Sequence, residues 1–453
     1  MTLEENVKKA ERLAYLVKEK GGVCYYVGGF VRDRIMQNPC KDIDIEVHGI
    51  YPGELEKILD GLGERISIGE SFGIYSLKGC DIDIAMPRKE KVTGKGHRDF
   101  SVTVDPFIGT EKAASRRDFT INALMQNVLT GEITDHFGGI ADIKTKTLRY
   151  VNANSFTEDA LRVFRAAQFC ARFNFKTDEK TIDLCRRIDV SSLSKERIEG
   201  EMKKALLKSE KPSVFFETLR NFNKLLPWFS ELYNLIGIKQ REEFHLEGDV
   251  WSHTMMVLDE AAKRREKAEH PYEFMLSALC HDFGKAVSTK SENGITRSIG
   301  HEKAGIPVVK RFLSRITNDK KVTGYVLNIT ELHMLPNILA FQKSSIKATN
   351  KLFDKSVSPF DLILLASSDN SGRITAQKKE SYEDFLFERL SVYEEYMSRP
   401  FITGKDLIDS GLMPDENFSD ILKYAHKLRL SGAEKSTALK QCLAYKKEKF
   451  NPE

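Results

Sequence analysis

Apolar and polar residues alternate over Val23–Val27, Asp42–Val47, Ser76–Ala85 and Ser101–Val104, the period-two pattern of half-buried strands. Glycines punctuate these runs and mark turns between them. Further along, the period lengthens. In ALRVFRAAQFCARF, Leu161, Phe164, Ala167 and Cys170 recur at helical spacing, with Val163, Ala166, Phe169 and Phe173 beside them. Helical texture continues to the C-terminus, broken near Pro212, from Pro227 to Gly248, and from Pro400 to Gly404. The pattern predicts an α/β head followed by an all-α body of several modules. We place the boundaries at 1–142 for the head, 143–235 for a helical neck, 236–375 for a histidine-bearing module and 376–453 for a C-terminal helical region.

The head carries the first candidate chemistry. Residues i and i+2 of a strand share a face, so Asp42 and Asp44 lie together while Ile43 and Ile45 pack on the other side. Adjacent carboxylates repel unless a cation sits between them, and a hard divalent ion with oxygen ligands fits that need. A third acid follows in CDIDIAMPR as Asp81 or Asp83; Asp83 suits the alternation better. Three such carboxylates can hold two Mg²⁺ ions, one activating a hydroxyl and one neutralising a leaving pyrophosphate. Upstream, Gly28 and Gly29 let the backbone approach an anion, the short helix behind them presents N–H groups to a phosphate, and Arg32 adds charge there.

Composition narrows the class without naming it. The 453 residues are 30% charged and 41% hydrophobic, an ordinary globular balance. With 70 basic against 66 acidic residues, bulk charge alone gives no reason to expect nucleic acid. Seven scattered cysteines without a C-x-x-C argue for a reducing compartment and against a zinc ribbon. The N-terminal segment reads as a charged amphipathic helix rather than a signal peptide, and no apolar run approaches a membrane span. A cytoplasmic protein with no membrane partner is the expectation.

The motifs together resemble the class II tRNA nucleotidyltransferase and bacterial poly(A) polymerase family over most of the chain. VGGFVRD with KDIDIEV is similar to its first motif, which implies Asp42 and Asp44 as metal ligands. RRDFTINAL is similar to its second, implying that Asp118 and Asn122, with Arg116 and Arg117, contact ribose and phosphates. TEDALRVFRAAQFCARF resembles its nucleotide-selecting motif, here Glu158, Asp159 and Arg162, and KERIEGEMKKAL the helix that buttresses it. Asp159 accepts and Arg162 donates, so three residues apart on one helical face they can pair with the edge of an incoming base. The resemblance implies addition of CCA to a tRNA 3′ end from CTP and ATP with Mg²⁺. The long stretch beginning MPRKEK, suited to a loop over the site, and SIGESFGIYSLKGCDIDIA look more like enzymes adding all three nucleotides. Poly(A) polymerase and partial CC- or A-adding enzymes are the alternatives.

Six of the ten histidines fall in the third module. His253, His281-Asp282 and Asp369 run in the order H…HD…D, and His301 and His333 add two imidazoles. Such a donor set suits Mn²⁺, Ni²⁺, Fe²⁺, Zn²⁺ or Mg²⁺. The stretch resembles the HD phosphohydrolase domain. That implies a metal-bound water attacking 2′,3′-cyclic or terminal phosphates, with Lys285 near the phosphate. The basic C-terminal helices are expected to track tRNA phosphates.

Overall fold

Among the described residues, alternation in the head becomes nine strands in this computed structural model. They are β1 (Val23–Val27), β2 (Ile43–His48), β3 (Arg65–Gly69), β4 (Ile74–Leu77), β5 (Ile82–Ala85), β6 (Arg88–Val92), β7 (Phe100–Val104), β8 (Met125–Asn127) and β9 (Ile133–Thr134). The structure describes residues 2–40, 42–69, 73–92, 100–241, 243, 245–293, 295–376 and 381–450. Seven strands form one sheet in the order β3-β4-β5-β2-β1-β8-β9, in which only β2 and β5 run parallel. The run Ser76–Ala85, expected as one strand, is two. Gly79, at φ +76°, turns the chain between β4 and β5 and makes them antiparallel neighbours. β6 and β7 pair as a separate ribbon. The segment between them, and residues 70–72, lie outside the described residues, and with them parts of the two stretches bearing on how many nucleotides are added.

The core of the head sits on one face of the sheet. Ile43, Ile45 and Val47 of β2 and Ile82 and Ile84 of β5 are buried there, against Ala10, Leu13, Ala14 and Val17 of the first helix, Leu3–Glu19. That helix starts at a capping box in which Thr2 and Glu5 satisfy each other's backbone N–H. Each buried Ile or Val contributes about 1.5–3 kcal/mol, which is enough to hold β2 in register with its acids on the opposite face.

The chain divides into two units, Met1–Leu193 with Glu217–Lys224, and Ser194–Phe216 with Leu225–Glu453. The first holds the sheet and the helix Leu161–Phe173, as well as a two-residue parallel pairing of β10 (Thr147–Leu148) with β11 (Lys176–Thr177). The second is helical apart from the hairpin β12 (Lys290–Glu292) and β13 (Ile295–Arg297). Its centre is the helix Pro271–Cys280, where Phe274, Met275, Leu276, Ala278, Leu279 and Cys280 are all buried. A helix apolar all round must be surrounded, and Val250–Ala262, Lys320–Leu332 and Pro359–Ser371 pack around it. The helix Lys195–Lys208, which carries KERIEGEMKKAL, belongs to this second unit. The last two helices, Phe418–Leu430 and Lys435–Phe450, share a small core of Ile421, Ala425 and Cys442, with Tyr424 stacked on Tyr445 at 4.1 Å.

Candidate functional site

On the solvent side of the head sheet, β2 and β5 lie in register, which sets Asp44 beside Asp83. Asp42 precedes β2, and Glu46 continues the same face two residues on. Burial lifts the Asp44 pKa above its ordinary value; Arg117 opposes that shift, and Asp83 and Asp42 add to it. Asp83 is raised as well, by burial and then by Asp42. Gly28 sits at φ +66°, and a Cβ there would lie 3.1 Å from Arg117 Nη1 and 3.4 Å from Asp44 Oδ2. Its bare backbone therefore reaches the acid face where a side chain would fill the space. An oxygen-only donor set under mutual repulsion fits a hard divalent cation. The three acids do not close into a trio within 4.8 Å, as groups in the second unit do.

Arg32, expected to offer charge to a phosphate, is instead buried. Nε and Nη2 grip both oxygens of Asp33 at 2.8 and 2.9 Å, Nη1 donates to Asn122 Oδ1 at 2.6 Å, and the guanidinium lies over Phe173. Asn122 in turn donates to Asp118 Oδ1 at 2.9 Å, and Arg165 donates to Asp118 Oδ2 at 2.8 Å. Burial works against ionisation of Asp118, but Arg165 and Asn122 outweigh it and hold the carboxyl below its usual range. Arg32, Asn122 and Asp118 thus form an internal chain under the Gly28-Gly29 turn. Arg117, with Nη2 3.4 Å from Glu46 Oε2, is the cation that faces the acids.

Asp159 does not share a helical face with Arg162. The helix begins at Leu161; Asp159 lies in the preceding turn, where Oδ1 accepts from the Leu161 N–H at 3.0 Å. Arg162 donates to Ser155 O and Arg116 O at 2.7 and 2.9 Å, while Arg116 donates to Arg88 O. Those bonds use two of the five guanidinium N–H groups of Arg162. Sequence reasoning missed Glu46, Asp33 and Arg165. The first continues the i+2 row of Asp42 and Asp44, and Arg165 follows Arg162 by one helical turn, so periodicity pointed to both.

In the second unit the structure brings His253, His281, Asp282, His301, His333 and Asp369 together, all buried. Among the described residues three groups of potential ligands form: His245, Glu247 and His253; His253, His281 and Asp369; and Asp282, His301 and His333. Helix ends place several of them. His281 and His333 directly follow the helices Pro271–Cys280 and Lys320–Leu332, where the last carbonyls lack intrahelical donors. Each ring turns back to the carbonyl three residues earlier: His281 Nδ1 to Ala278 O at 2.8 Å, and His333 Nδ1 to Thr330 O at 2.6 Å. His301 does the same with Ser298 O at 2.9 Å. His253 Nδ1 is held by Glu247 Oε1 at 3.0 Å, and that oxygen also meets His245 Nδ1 at 2.7 Å.

With Nδ1 committed, each ring in its neutral form presents a lone pair at Nε2, and those atoms converge; burial lowers the pKa of His281 and His301, but the Asp282 carboxylate outweighs it and raises both. His281 Nε2 lies 3.5 Å from His253 Nε2, and His301 Nε2 lies 3.3 Å from His333 Nε2. Asp282 stands between them, Oδ1 3.2 Å from His301 Nε2 and Oδ2 3.2 Å from His281 Nε2. Its buried Oδ2 makes no aligned hydrogen bond, although the Lys285 ammonium is 2.7 Å away. Burial drives the His333 pKa down to about 3, helped by the neighbouring His281 and His301 rings. Lone pairs that face each other across a buried carboxylate are a donor set for divalent metal. Glu247 and His245 were not foreseen, because a loop carboxylate that orients a ligand leaves no periodic trace.

Fold and site define a nucleotidyltransferase of the poly(A) polymerase type, joined to a helical body that carries a buried cluster of histidines and acids. Residues 24–149 match the Poly A polymerase head domain family. A Multifunctional CCA protein of Stenotrophomonas maltophilia is 39% identical over 301 residues, covering 64% of this chain and 71% of that one. One from Pasteurella multocida is 32% identical over 400 residues, covering 85% and 91%. The chain belongs to the family of CCA-adding tRNA nucleotidyltransferases. The fold agrees with solved CCA-adding enzymes, that of Bacillus stearothermophilus with CTP at TM-score 0.66 and 20% identity over 99% of this chain and 100% of that one. The Thermotoga maritima enzyme with tRNA aligns at TM-score 0.62 and 19% identity, over 95% and 93%. Membership implies dependence on a divalent metal. Among the described residues no helix is long and apolar enough to cross a membrane.

Proposed function

We propose that the chain adds CCA to the 3′ end of tRNA without a template, using CTP and ATP, and that its histidine cluster is a separate phosphohydrolase. The observation that carries the first part is the acid face of β2 and β5 beside the bare backbone of Gly28, in a head whose relatives are named for CCA. Asp42, Asp44 and Asp83 are the residues that would hold Mg²⁺, which when bound lowers the cost of ionising the attacking hydroxyl and of releasing pyrophosphate. Gly28 and Gly29 admit the triphosphate and Arg117 supplies positive charge. Asp118, Asn122 and Arg32 brace that turn from beneath. Asp159 and Arg162 read the base edge, Arg162 with the N–H groups left over from its backbone contacts.

For the second activity the convergent Nε2 atoms of four histidines carry the reading, with Asp282 and Asp369 completing the ligand set for Mn²⁺, Ni²⁺, Fe²⁺ or Mg²⁺. Its substrates are 2′,3′-cyclic or terminal phosphates, with Lys285 at the phosphate. The match to a poly(A) polymerase head favours AMP addition as the second reading. One assay separates these. A tRNA transcript lacking CCA, given each triphosphate with Mg²⁺, is extended by C, C and then A; repeated A alone supports the alternative. Asp42→Ala stops extension and leaves phosphate release intact, and the double variant His281→Ala, Asp282→Ala does the converse. Extension by Asp42→Ala overturns the assignment of the head.

A further inference from the structure

The cavity over the histidine cluster has about 280 Å³ and is floored by Asp282, His301, His333 and Asp369. Lys285, Arg297 and Arg373 make its walls cationic, as a phosphate ester requires. A second cavity of about 350 Å³ is lined by Ser288, Lys290, Glu292 and Asn293. Arg297 and Ile299 line both, so the two are adjoining compartments. Between them stands the β12–β13 hairpin. Its register pairs Lys290 with Arg297 and Ser291 with Thr296. Alternation then sets Lys290, Glu292 and Arg297 on one face and Thr296 on the other; Lys290 and Glu292 line only the second compartment, Thr296 only the first, and Arg297 reaches both.

We propose that this hairpin is the specificity wall of the phosphohydrolase, and that the second compartment holds the nucleoside bearing the scissile phosphate; the inference rests on the phosphohydrolase reading above. The lining of that compartment mixes one acid, Glu292, with the cations Lys290 and Arg297 and the neutral Ser288 and Asn293, a polar mixture rather than a purely cationic anion site. Lys290 donates, Glu292 accepts and Asn293 does both, the mixture needed to meet the edges of a nucleobase. Ile299, 81% exposed at the junction, offers an apolar surface, and Arg297 a planar guanidinium on which a base can stack. Size agrees. Small-molecule sites run from about 300 to 1,000 Å³, and the cluster cavity alone falls at or below that floor.

The wall is also tied to the cluster. A two-stranded ribbon is marginal by itself. This one is pinned at its foot by Thr289 Oγ1 and Ser298 Oγ, 2.8 Å apart, and across its middle by the Ser291 and Thr296 hydroxyls, also 2.8 Å apart. Ser298 uses its carbonyl to accept from His301 Nδ1. The residue that anchors the hairpin therefore also orients a ligand, so the nucleoside wall keeps a fixed relation to the reacting phosphate.

The test compares two substrates on the full chain supplied with Mn²⁺. Adenosine 2′,3′-cyclic phosphate has the nucleoside; bis(p-nitrophenyl) phosphate has a reactive ester without one. Asn293→Gly removes the amide while keeping a backbone at φ +51°, and Ile299→Ser removes the apolar surface. Each variant is expected to lower the ratio of kcat/KM for the cyclic nucleotide over that for the aryl ester by about tenfold, chiefly through KM, with bound metal unchanged. An unchanged ratio in both variants overturns the hairpin's role. Failure of the unaltered protein to hydrolyse either substrate, at a level abolished by His281→Ala, overturns the phosphohydrolase reading itself, and the proposal with it.

Discussion

At the scale of single residues, the head holds its acids at a cost to the fold. Asp44 has its pKa raised by burial, against Arg117, and by Asp83 and Asp42. A carboxyl whose folded pKa exceeds its unfolded one stabilises the fold fully below the unfolded pKa, and loses that contribution as pH rises through the folded value. Without metal, the head is therefore less stable at neutral than at mildly acidic pH with respect to this group. Asp44→Asn removes the penalty. Its metal-free thermal midpoint should rise by roughly 2–4 °C at neutral pH and lose that part of its pH dependence, while nucleotide addition disappears. A midpoint that falls counts against a strained acid pair. Arg32 is the opposite case, a charge that the fold needs. Arg32→Ala leaves Asp33 and Asn122 without their partner in the interior, and should destabilise the head by about 3–5 kcal/mol in denaturant titration. Arg32→Lys should recover little, since an ammonium cannot span both Asp33 oxygens and Asn122.

At the scale of elements, strands position the first site and helix ends the second. Alternation in Asp42–Val47 made the acid face readable from the chain, and the order H…HD…D pointed to the residues that the fold gathers into the second cluster. Pairing between elements was not readable. Nothing local indicates that β5 lies parallel and in register with β2, which is what sets Asp83 beside Asp44. Arg32 looked available because a seven-residue helix is too short for its buried face to show in the pattern. Asp159 looked helical because its Asx-type bond to Leu161 N is invisible in a spacing of three. Gly284 illustrates the same limit. It lies within HDFGK, and a Cβ there would stand 1.9 Å from His301 O and 2.7 Å from Gly305 N. Only glycine lets the His281-Asp282 turn meet the segment that carries His301. Gly284→Ala should weaken metal retention roughly 10–100-fold, read by metal analysis after gel filtration, and suppress phosphate release. Retention equal to that of the unaltered protein would show that the His301 segment can yield.

At the scale of the whole molecule, two units carry two unlike donor sets. Asp42, Asp44 and Asp83 offer only carboxylate oxygens, whereas the second cluster offers four imidazole nitrogens with Asp282 and Asp369. Oxygen ligands suit Mg²⁺, and imidazole raises affinity along the series from Mn²⁺ to Ni²⁺. The two activities should therefore part company when metal is removed and returned. After chelation and desalting, Mg²⁺ alone should restore CCA addition to a tRNA transcript, while phosphate release from a cyclic nucleotide stays below about a tenth of its full value; Mn²⁺ or Ni²⁺ at micromolar levels should restore it. Equal recovery of both activities with Mg²⁺ would mean that the imidazoles do not set the metal preference of their site. The contrast also bears on purification. A preparation exposed to chelator and then assayed in Mg²⁺ buffer would show a competent nucleotidyltransferase and a silent hydrolase, although the fold around both sites is intact.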